Sequence, residues 1–154
     1  MDYSYKTSLQ LSLMRGTQKL LNLDCPYCKD YAIIRGQLQT LFGNPIYIEP
    51  DFENAYCYIV IMENSEGAQF ILTVYQGKSG PVIGGNKNIE GTENAAQELK
   101  RYIEKASPSD YEYEGIYREG RPNTKKIIMG VKNGKPYYSE TKIASEIEIE
   151  EEEE

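Results

Sequence analysis

Histidine and tryptophan are both absent from the 154 residues of this chain. Histidine is the commonest general base in enzymes and the commonest protein ligand for metals, because its pKa lies near neutral pH. Its absence excludes a Ser-His-Asp triad, a Cys-His pair and every zinc site that contains histidine. Catalysis would have to use carboxylates, lysine, tyrosine or cysteine. The composition therefore favours a protein that is not an enzyme, and we predict no catalytic residues, no cofactor and no metal site.

A long apolar segment is also missing. No run approaches the roughly 18 apolar residues of a membrane-spanning helix. The first residues, MDYSYKTSLQLSLMRG, lack the basic region and the continuous apolar stretch of a secretory signal. We expect a cytoplasmic protein without membrane contact. The length suits one domain of common size, which we assign to residues 1–145, followed by an acidic C-terminal tail at residues 146–154.

The net charge of −7 is concentrated at the C-terminal end. The last nine residues contain seven of the 24 acidic residues and no basic one, so the rest of the chain balances 17 acids against 17 bases. Nucleic-acid binding requires a cationic face, which this distribution does not supply. The tail has three interpretations: a solvated end, a charged edge strand formed by the alternating Glu146-Ile147-Glu148-Ile149-Glu150, or a segment that contacts a basic partner.

Apolar periodicity predicts a first clear helix at residues 29–42. Asp30 is its expected N-cap, and Gly43 followed by Pro45 ends it. Four apolar residues fall on one face of this helix: Ile34, Leu38, Leu41 and Phe42.

A second helix is predicted to begin at Thr92, as the N-cap, and to end at Ser107-Pro108. Its buried stripe consists of Ala95, Ala96, Leu99 and Ile103. Residues 3–23 fit an alternating strand as well as a helix interrupted near Gly16, and we favour the helix.

Strands are predicted at residues 46–48, 55–63, 68–75, 111–118, 125–132 and 136–143. Residues 64–67 (Asn-Ser-Glu-Gly) turn the second strand into the third, and Asn133-Gly134 is a strong hairpin signal between the last two. The glycine-rich residues 76–91 are predicted as a long loop with at most a short strand at Val82-Ile83. The expected fold class is α+β, an antiparallel or mixed sheet of about five to six strands with two to three helices packed on one face.

The tetrapeptide Cys25-Pro26-Tyr27-Cys28 precedes the first predicted helix. A helix N-terminus stabilises a thiolate, and the second cysteine can resolve a mixed disulfide. The tetrapeptide resembles the active site of glutaredoxins, and the segments at residues 73–75 and 83–85 are similar to that family's cis-proline and glycine-pair segments. The resemblance implies that Cys25 is the nucleophile, that Cys28 is the resolving thiol and that Gly84-Gly85 line a glutathione cleft.

Other features of the same regions favour a simpler interpretation of the cysteines. Tyr75 stands where glutaredoxins carry the cis-proline, and residues 55–75 predict a hairpin where the thioredoxin-like fold has a helix. Cys25 and Cys28 would then mark a turn that leads into the first helix. A zinc site is a third interpretation, for which only Cys57 remains as a further thiolate.

Two more groups of residues are candidate binding sites. Ser79, Gly84, Gly85 and Asn86 lie in the predicted loop before the second helix, where backbone N–H groups could cradle a phosphate or another small ligand. The alternative is a simple connecting loop.

Tyrosine is unusually frequent, with 14 residues against three phenylalanines. Tyr111, Tyr113 and Tyr117 alternate along one predicted strand and so share a face, which suggests an aromatic partner-binding surface. The alternative is that strand propensity and an AT-rich genome account for the tyrosines.

The small size, the uneven acidity, the tyrosine-rich strands and the stretch ILTVYQGKSGPVIGGN (residues 71–86) resemble the immunity proteins of bacterial polymorphic toxin systems. The resemblance implies a dedicated protein partner, often a basic toxin nuclease, that is neutralised by binding. The contacts would be acidic and aromatic residues, here Tyr111, Tyr113, Tyr117, Glu146, Glu148 and Glu150. A thiol–disulfide oxidoreductase that uses Cys25 and Cys28 is the alternative function.

Overall fold

The computed structural model of the chain describes residues 3–23, 31–47, 56–77, 80–118 and 124–142. Within these ranges the chain forms two α-helices and nine strands in two antiparallel sheets. The helices are α1 (Tyr31–Phe42) and α2 (Thr92–Lys105). The strands are β1 (Tyr3–Ser8), β2 (Gln18–Asn22), β3 (Ile46–Tyr47), β4 (Tyr56–Asn64), β5 (Gln69–Gly77), β6 (Gly80–Gly85), β7 (Tyr111–Arg118), β8 (Thr124–Lys132) and β9 (Lys135–Lys142). The α+β class is confirmed, whereas the single sheet of five to six strands is wrong.

The larger sheet has the strand order β1-β4-β5-β6-β2, and the two-residue β3 pairs with β4. Its centre is the predicted hairpin of β4 and β5, in which Ile59 lies opposite Thr73. Asn64 shapes the turn, because its Oδ1 accepts hydrogen bonds from the backbone N–H groups of Glu66 and Ala68. This hairpin is confirmed as predicted.

Strand β6 occupies part of the segment that was predicted as a loop. It pairs with β5 on one side and with β2 on the other, and all of its residues are buried. A Cβ atom on Gly85 would lie 2.8 Å from both Leu20 Cδ1 and Thr92 Cγ2. Glycine is therefore required for close packing inside a strand. The sequence alone does not distinguish such glycines from those of a flexible loop.

Residues 3–23 do not form the helix that we favoured. They form β1, a 3-10 turn at Leu11–Met14 and β2, and Gly16 adopts a φ of 78° between the turn and β2. Pairing of β1 with β4 and of β2 with β6 supplies hydrogen bonds from distant segments, which local periodicity does not show.

Helix α1 lies between the two sheets. Its predicted apolar face packs against the core of the larger sheet, while Ala32 joins Tyr113, Ile127 and Met129 in a second core under the smaller sheet. Gly36 allows a close approach, since a Cβ atom there would lie 2.9 Å from Pro108 Cβ. The expected N-cap, Asp30, lies outside the described residues.

Helix α2 packs its predicted stripe of Ala95, Ala96, Leu99 and Ile103 into the larger core. Its N-cap is Gly91, with a φ of 92°, and not Thr92 as predicted. Thr92 is the first helical residue, and its hydroxyl donates a hydrogen bond of 2.8 Å to the Ile89 carbonyl.

The smaller sheet has the order β7-β8-β9. The Asn133-Gly134 hairpin is confirmed, with φ values of 53° and 77° that fit a type I′ turn. Both backbone N–H groups of the turn donate to the carboxylate of Asp110. In the part of the chain that the structure describes, no helix is long and apolar enough to cross a membrane.

Candidate partner-binding surface

The predicted tyrosine surface on β7 points into the protein. Tyr111 and Tyr113 share a face, as predicted, but α1 covers that face. Tyr113 is only 6% exposed, and Tyr111 Oη donates a hydrogen bond of 2.9 Å to the Ala32 carbonyl. Tyr113 therefore belongs to the core, and the partly buried Tyr111 packs against it, so α1 covers the face that the two tyrosines share. Tyr117 also lies in β7, but its side chain is outside the described part of the structure.

A buried arginine joins this core to the larger sheet. Arg35 on α1 is 1% exposed, and its guanidinium carbon lies 4.6 Å from the Tyr111 ring centroid, 5.6 Å from that of Tyr56 and 5.8 Å from that of Tyr58. Its Nη1 also donates to Gln39 Oε1 at 2.9 Å. Cation–π contact and this hydrogen bond both stabilise the charged side chain in its buried position. Arg35 was not predicted as a buried residue, and the charge of its side chain gives no sign in the sequence that both sides of the helix are packed.

Two tyrosines lie on β9, an edge strand of the smaller sheet, where Tyr138 is exposed and Tyr137 is partly buried. Tyr137 Oη donates to Glu112 Oε1 at 3.1 Å, and Tyr138 Oη donates to Glu140 Oε1 at 2.8 Å. Tyr138 is 44% exposed. We call these two contacts the β9 tyrosine–carboxylate pairs. Because neighbouring residues of a strand point to opposite faces, the two pairs flank the edge on both sides.

Electrostatics favours the charged form of one of these carboxylates, Glu140. The hydrogen bond from Tyr138, assisted by Lys125 at 3.4 Å, lowers the pKa of Glu140 from its ordinary value despite some desolvation. The pKa of Tyr137 is raised, mainly by desolvation and also by the hydrogen bond to Glu112 and the negative charge of that residue. Each pair therefore holds a carboxylate in a fixed position at the edge of the sheet, where it can accept hydrogen bonds from lysine or arginine.

Two of the glycine-loop candidates lie in a strand and not in a phosphate-cradling loop. Gly84 and Gly85 lie buried within β6, contrary to their assignment to a loop. Asn86 follows the strand, and its Oδ1 accepts a hydrogen bond of 2.9 Å from the Asn88 backbone N–H. Ser79 lies outside the described residues. The glycines therefore serve strand packing, as argued for β6.

The remaining candidates divide between a buried thiol and residues that the structure does not describe. Cys57 is buried in β4 with its Sγ 3.8 Å from Met14 Sδ, and burial raises the pKa of its thiol. Within the described ranges, no group of three or more histidine, cysteine, aspartate or glutamate residues is placed to hold a metal ion. Besides Ser79, five predicted site residues lie outside those ranges: Cys25, Cys28, Glu146, Glu148 and Glu150.

One open groove was not foreseen from the sequence. It lies between β1 and the C-terminal ends of both helices and has a volume of about 400 Å³. Its lining residues are Tyr3, Tyr5, Leu41, Tyr102, Lys105 and Ala106. The Tyr5 ring lies 6.0 Å from that of Tyr102 and 5.3 Å from that of Phe42. The helix prediction for residues 3–23 concealed this groove, because it removed the strand that forms one wall.

Comparison of the chain with family models, with curated proteins and with solved structures gives no match.

Proposed function

We propose that this chain is a binding protein without catalytic activity that neutralises a protein partner, in the manner of an immunity protein and its toxin. The observation that carries the proposal is the pair of ordered tyrosine–carboxylate contacts on the exposed edge strand β9. The acidic tail at residues 146–154 follows this strand closely in the chain.

The chemistry of the β9 tyrosine–carboxylate pairs suits a protein partner. A tyrosine ring buries a large area at a low entropic cost and keeps a polar hydroxyl, which is why tyrosine is enriched at interfaces. Here the hydroxyls of Tyr137 and Tyr138 already hold Glu112 and Glu140 in place. Less side-chain freedom is lost on association when the contacts are ordered beforehand. A partner with exposed lysine or arginine side chains complements these carboxylates.

The acidic tail supplies the attraction at longer range. Close to the pairs, Lys125 contacts Glu140 at 3.4 Å and Lys126 contacts Glu114 at 2.7 Å, so positive and negative charges alternate on the sheet. Seven glutamates in the tail have no basic residue among them. Such a negative charge increases the rate of association with a cationic protein, and this increase becomes smaller at high salt. The sheet thus supplies shape and local hydrogen bonds, and the tail supplies net charge.

The proposal is tested with the product of the neighbouring reading frame in the source genome. We expect co-expression of the chain to restore growth when that product is toxic, and the two proteins to purify together. Tyr138→Ala should weaken the complex at least about tenfold, or about 1.4 kcal/mol, in isothermal titration calorimetry. Leu11→Ala is the matched control, because Leu11 is 49% exposed and lies outside the smaller sheet. If the Tyr138 variant binds with unchanged affinity, the β9 tyrosine–carboxylate pairs are not part of the interface.

A further inference from the structure

Residues 9–17 cross one face of the larger sheet. They join β1 and β2, which lie at the two ends of the strand order β1-β4-β5-β6-β2. The 3-10 turn in this segment contacts β4 and β5, and Met14 Sδ lies 3.8 Å from Cys57 Sγ. Cys57 alternates along β4 with Tyr56 and Tyr58, which belong to the core that both helices share. The segment therefore lies on the opposite face of the sheet, which we call the crossover face.

The crossover face lies on the outer side of the molecule. The other face of the larger sheet is covered by α1 and α2, and α1 separates it from the smaller sheet. The smaller sheet is thus on the far side of the protein from the crossover face. Ile61 and Ile71 form a cross-strand pair on the crossover face and are only partly buried, whereas Ile59 is fully buried. Residues 9–17 thus cover one part of this face and leave another part accessible.

Two leucines of the crossing segment are directed to solvent. Leu9 is 82% exposed and Leu11 is 49% exposed, and Leu9 is the most exposed large apolar side chain in the described part of the chain. Met14, in contrast, packs toward β4. Leucines this exposed add little to the stability of the fold, because stabilisation comes from the burial of apolar area. They are available for contact with an apolar medium outside the molecule.

Three basic side chains accompany these leucines. Lys6 pairs across β1 and β4 with an isoleucine of the crossover face. Lys19 is opposite Gly84, at which an added Cβ atom would meet Thr73 Oγ1 of the same face. Arg15 follows the 3-10 turn of the crossing segment. All three are exposed, and in the part of the chain that the structure describes none of them forms an ion pair with a carboxylate.

Acidic residues are scarce around these three side chains. Residues 3–23, which supply all of them, contain no aspartate or glutamate. Glu63 is the acidic residue of β4 on the crossover face, and its Oε1 accepts a hydrogen bond of 3.0 Å from Gln69 Nε2. The face therefore combines exposed leucines with a local excess of positive charge, on a protein whose net charge is −7.

We propose that the crossover face is a peripheral binding site for an anionic lipid bilayer. Leu9 and Leu11 enter the boundary between headgroups and acyl chains, while Lys6, Arg15 and Lys19 contact the anionic headgroups. Exposed leucine beside lysine and arginine is the combination that holds proteins at membrane surfaces. The expectation of no membrane contact considered only spanning segments and secretory signals. A surface site of this kind needs neither, so the proposal replaces that expectation.

The same observations disfavour a protein as the occupant of the crossover face. A second copy that packed symmetrically through this face would bring the basic side chains of both copies together, and like charges repel. Leucine is under-represented among the residues that dominate binding energy at protein interfaces. A bilayer of negative charge complements the basic side chains and accepts the leucines as well.

Lipid binding goes beyond the proposed function and is compatible with it. Because the smaller sheet lies on the far side of the protein, a chain attached through the crossover face presents the β9 tyrosine–carboxylate pairs to the solution. The tests below need no protein partner. Their failure therefore leaves the proposed function to its own experiment.

Cosedimentation of the full chain with vesicles measures the electrostatic part of the site. We expect binding to vesicles of phosphatidylcholine and phosphatidylserine at a ratio of about 7 to 3, weaker binding at high salt, and none to phosphatidylcholine alone. Changing Lys6, Arg15 and Lys19 together to glutamine should reduce the partition coefficient about tenfold or more. The matched control makes the same change of charge on the smaller sheet, at Lys132, Lys135 and Lys142, and should bind at least as well as Leu9→Asn combined with Leu11→Asn binds poorly.

Fluorescence measures the insertion of the leucines. The chain contains no tryptophan, so Leu9→Trp introduces a single reporter at the crossover face. We expect its emission to shift to shorter wavelength with the anionic vesicles and to be quenched when the lipid acyl chains are brominated. Tyr138→Trp is the control, because Tyr138 is 44% exposed on the smaller sheet, and its emission should stay unchanged.

Three results would overturn the proposal. The first is an absence of binding to the anionic vesicles, and the second is binding that the crossover-face and smaller-sheet variants reduce equally. The third is a Leu9→Trp emission that brominated lipid does not quench. Binding of soluble polyglutamate without binding of vesicles would also overturn it, and would assign the crossover face to an acidic protein.

Discussion

Replacing Gly84 with alanine tests whether this residue belongs to a packed strand or to a ligand-binding loop. A Cβ atom at this position would lie 2.6 Å from Thr73 Oγ1 and 3.1 Å from the Gln18 backbone oxygen. Gly84 is not among the glycines with positive φ, so alanine adds no backbone strain of its own. The cost comes from the side-chain contact, which Thr73 relieves only by moving within a buried sheet.

The two interpretations of Gly84 predict opposite signs. Overpacking in a core costs about 1–3 kcal/mol, which lowers Tm by about 2–12 °C for a chain of this length. Glycine to alanine in a loop with a compatible φ instead stabilises by about 0.4–1 kcal/mol, because the unfolded chain loses freedom. We expect the destabilisation. The assay is urea unfolding followed by circular dichroism, with an m-value that stays constant between variants.

A double-mutant cycle identifies the cause of the destabilisation. Thr73→Ala removes the atom that a Cβ on Gly84 would meet at 2.6 Å, so the double variant should lose less free energy than the two single variants together. An urea midpoint of Gly84→Ala that equals or exceeds that of the parent would refute the packing argument. It would return Gly84 and Gly85 to the list of ligand-binding candidates.

Two further predictions concern titration and redox chemistry. Because the pKa of Glu140 is lowered, the ionised form is favoured in the folded protein. Its contribution to stability is complete above the ordinary value of 4.5 and is lost as pH falls through the lowered pKa. Tyr138→Phe should move the NMR titration midpoint of Glu140 back up toward 4.5, and an unmoved midpoint would contradict the assigned hydrogen bond. Cys25→Ser should leave the affinity for the partner unchanged. The parent chain should reduce insulin disulfides no faster than background. Clear reduction that Cys25→Ser abolishes would instead favour the oxidoreductase function.

Elements with a local chemical signal were predicted well from the sequence. The Asn133-Gly134 turn requires positive φ at both positions, and few other dipeptides tolerate that geometry. The stripe from Ala95 to Ile103 repeats with the helical period, which a strand does not reproduce. The β4–β5 hairpin is also local, because Asn64 folds the turn with its own side chain.

Features that depend on distant segments were not predicted. Residues 3–23 have no single periodicity, and their pairing with β4 and β6 decides their structure. Strand β6 contains several glycines, which the sequence presents in the same way as a loop. The division into two sheets follows from α1, whose residue Ala32 packs on one sheet and Leu38 on the other.

The candidate site could be predicted only in part from the sequence, for a related reason. Alternation shows that Tyr111 and Tyr113 share a face but not what covers that face. The helix that covers them lies about 80 residues earlier in the chain, so no local pattern contains the information. Tyr138 is exposed because β9 is an edge strand, and strand order is itself a product of tertiary packing.

The most direct test of the central claim is the affinity of the chain for the product of its neighbouring reading frame, measured by calorimetry at several salt concentrations. We predict a tight complex that weakens as salt increases. Changing Glu146, Glu148 and Glu150 together to glutamine should reduce that salt dependence, and adding Tyr138→Ala should reduce the affinity that remains at high salt. An absence of binding, or an affinity that is unaffected by all four substitutions, would contradict the proposed function.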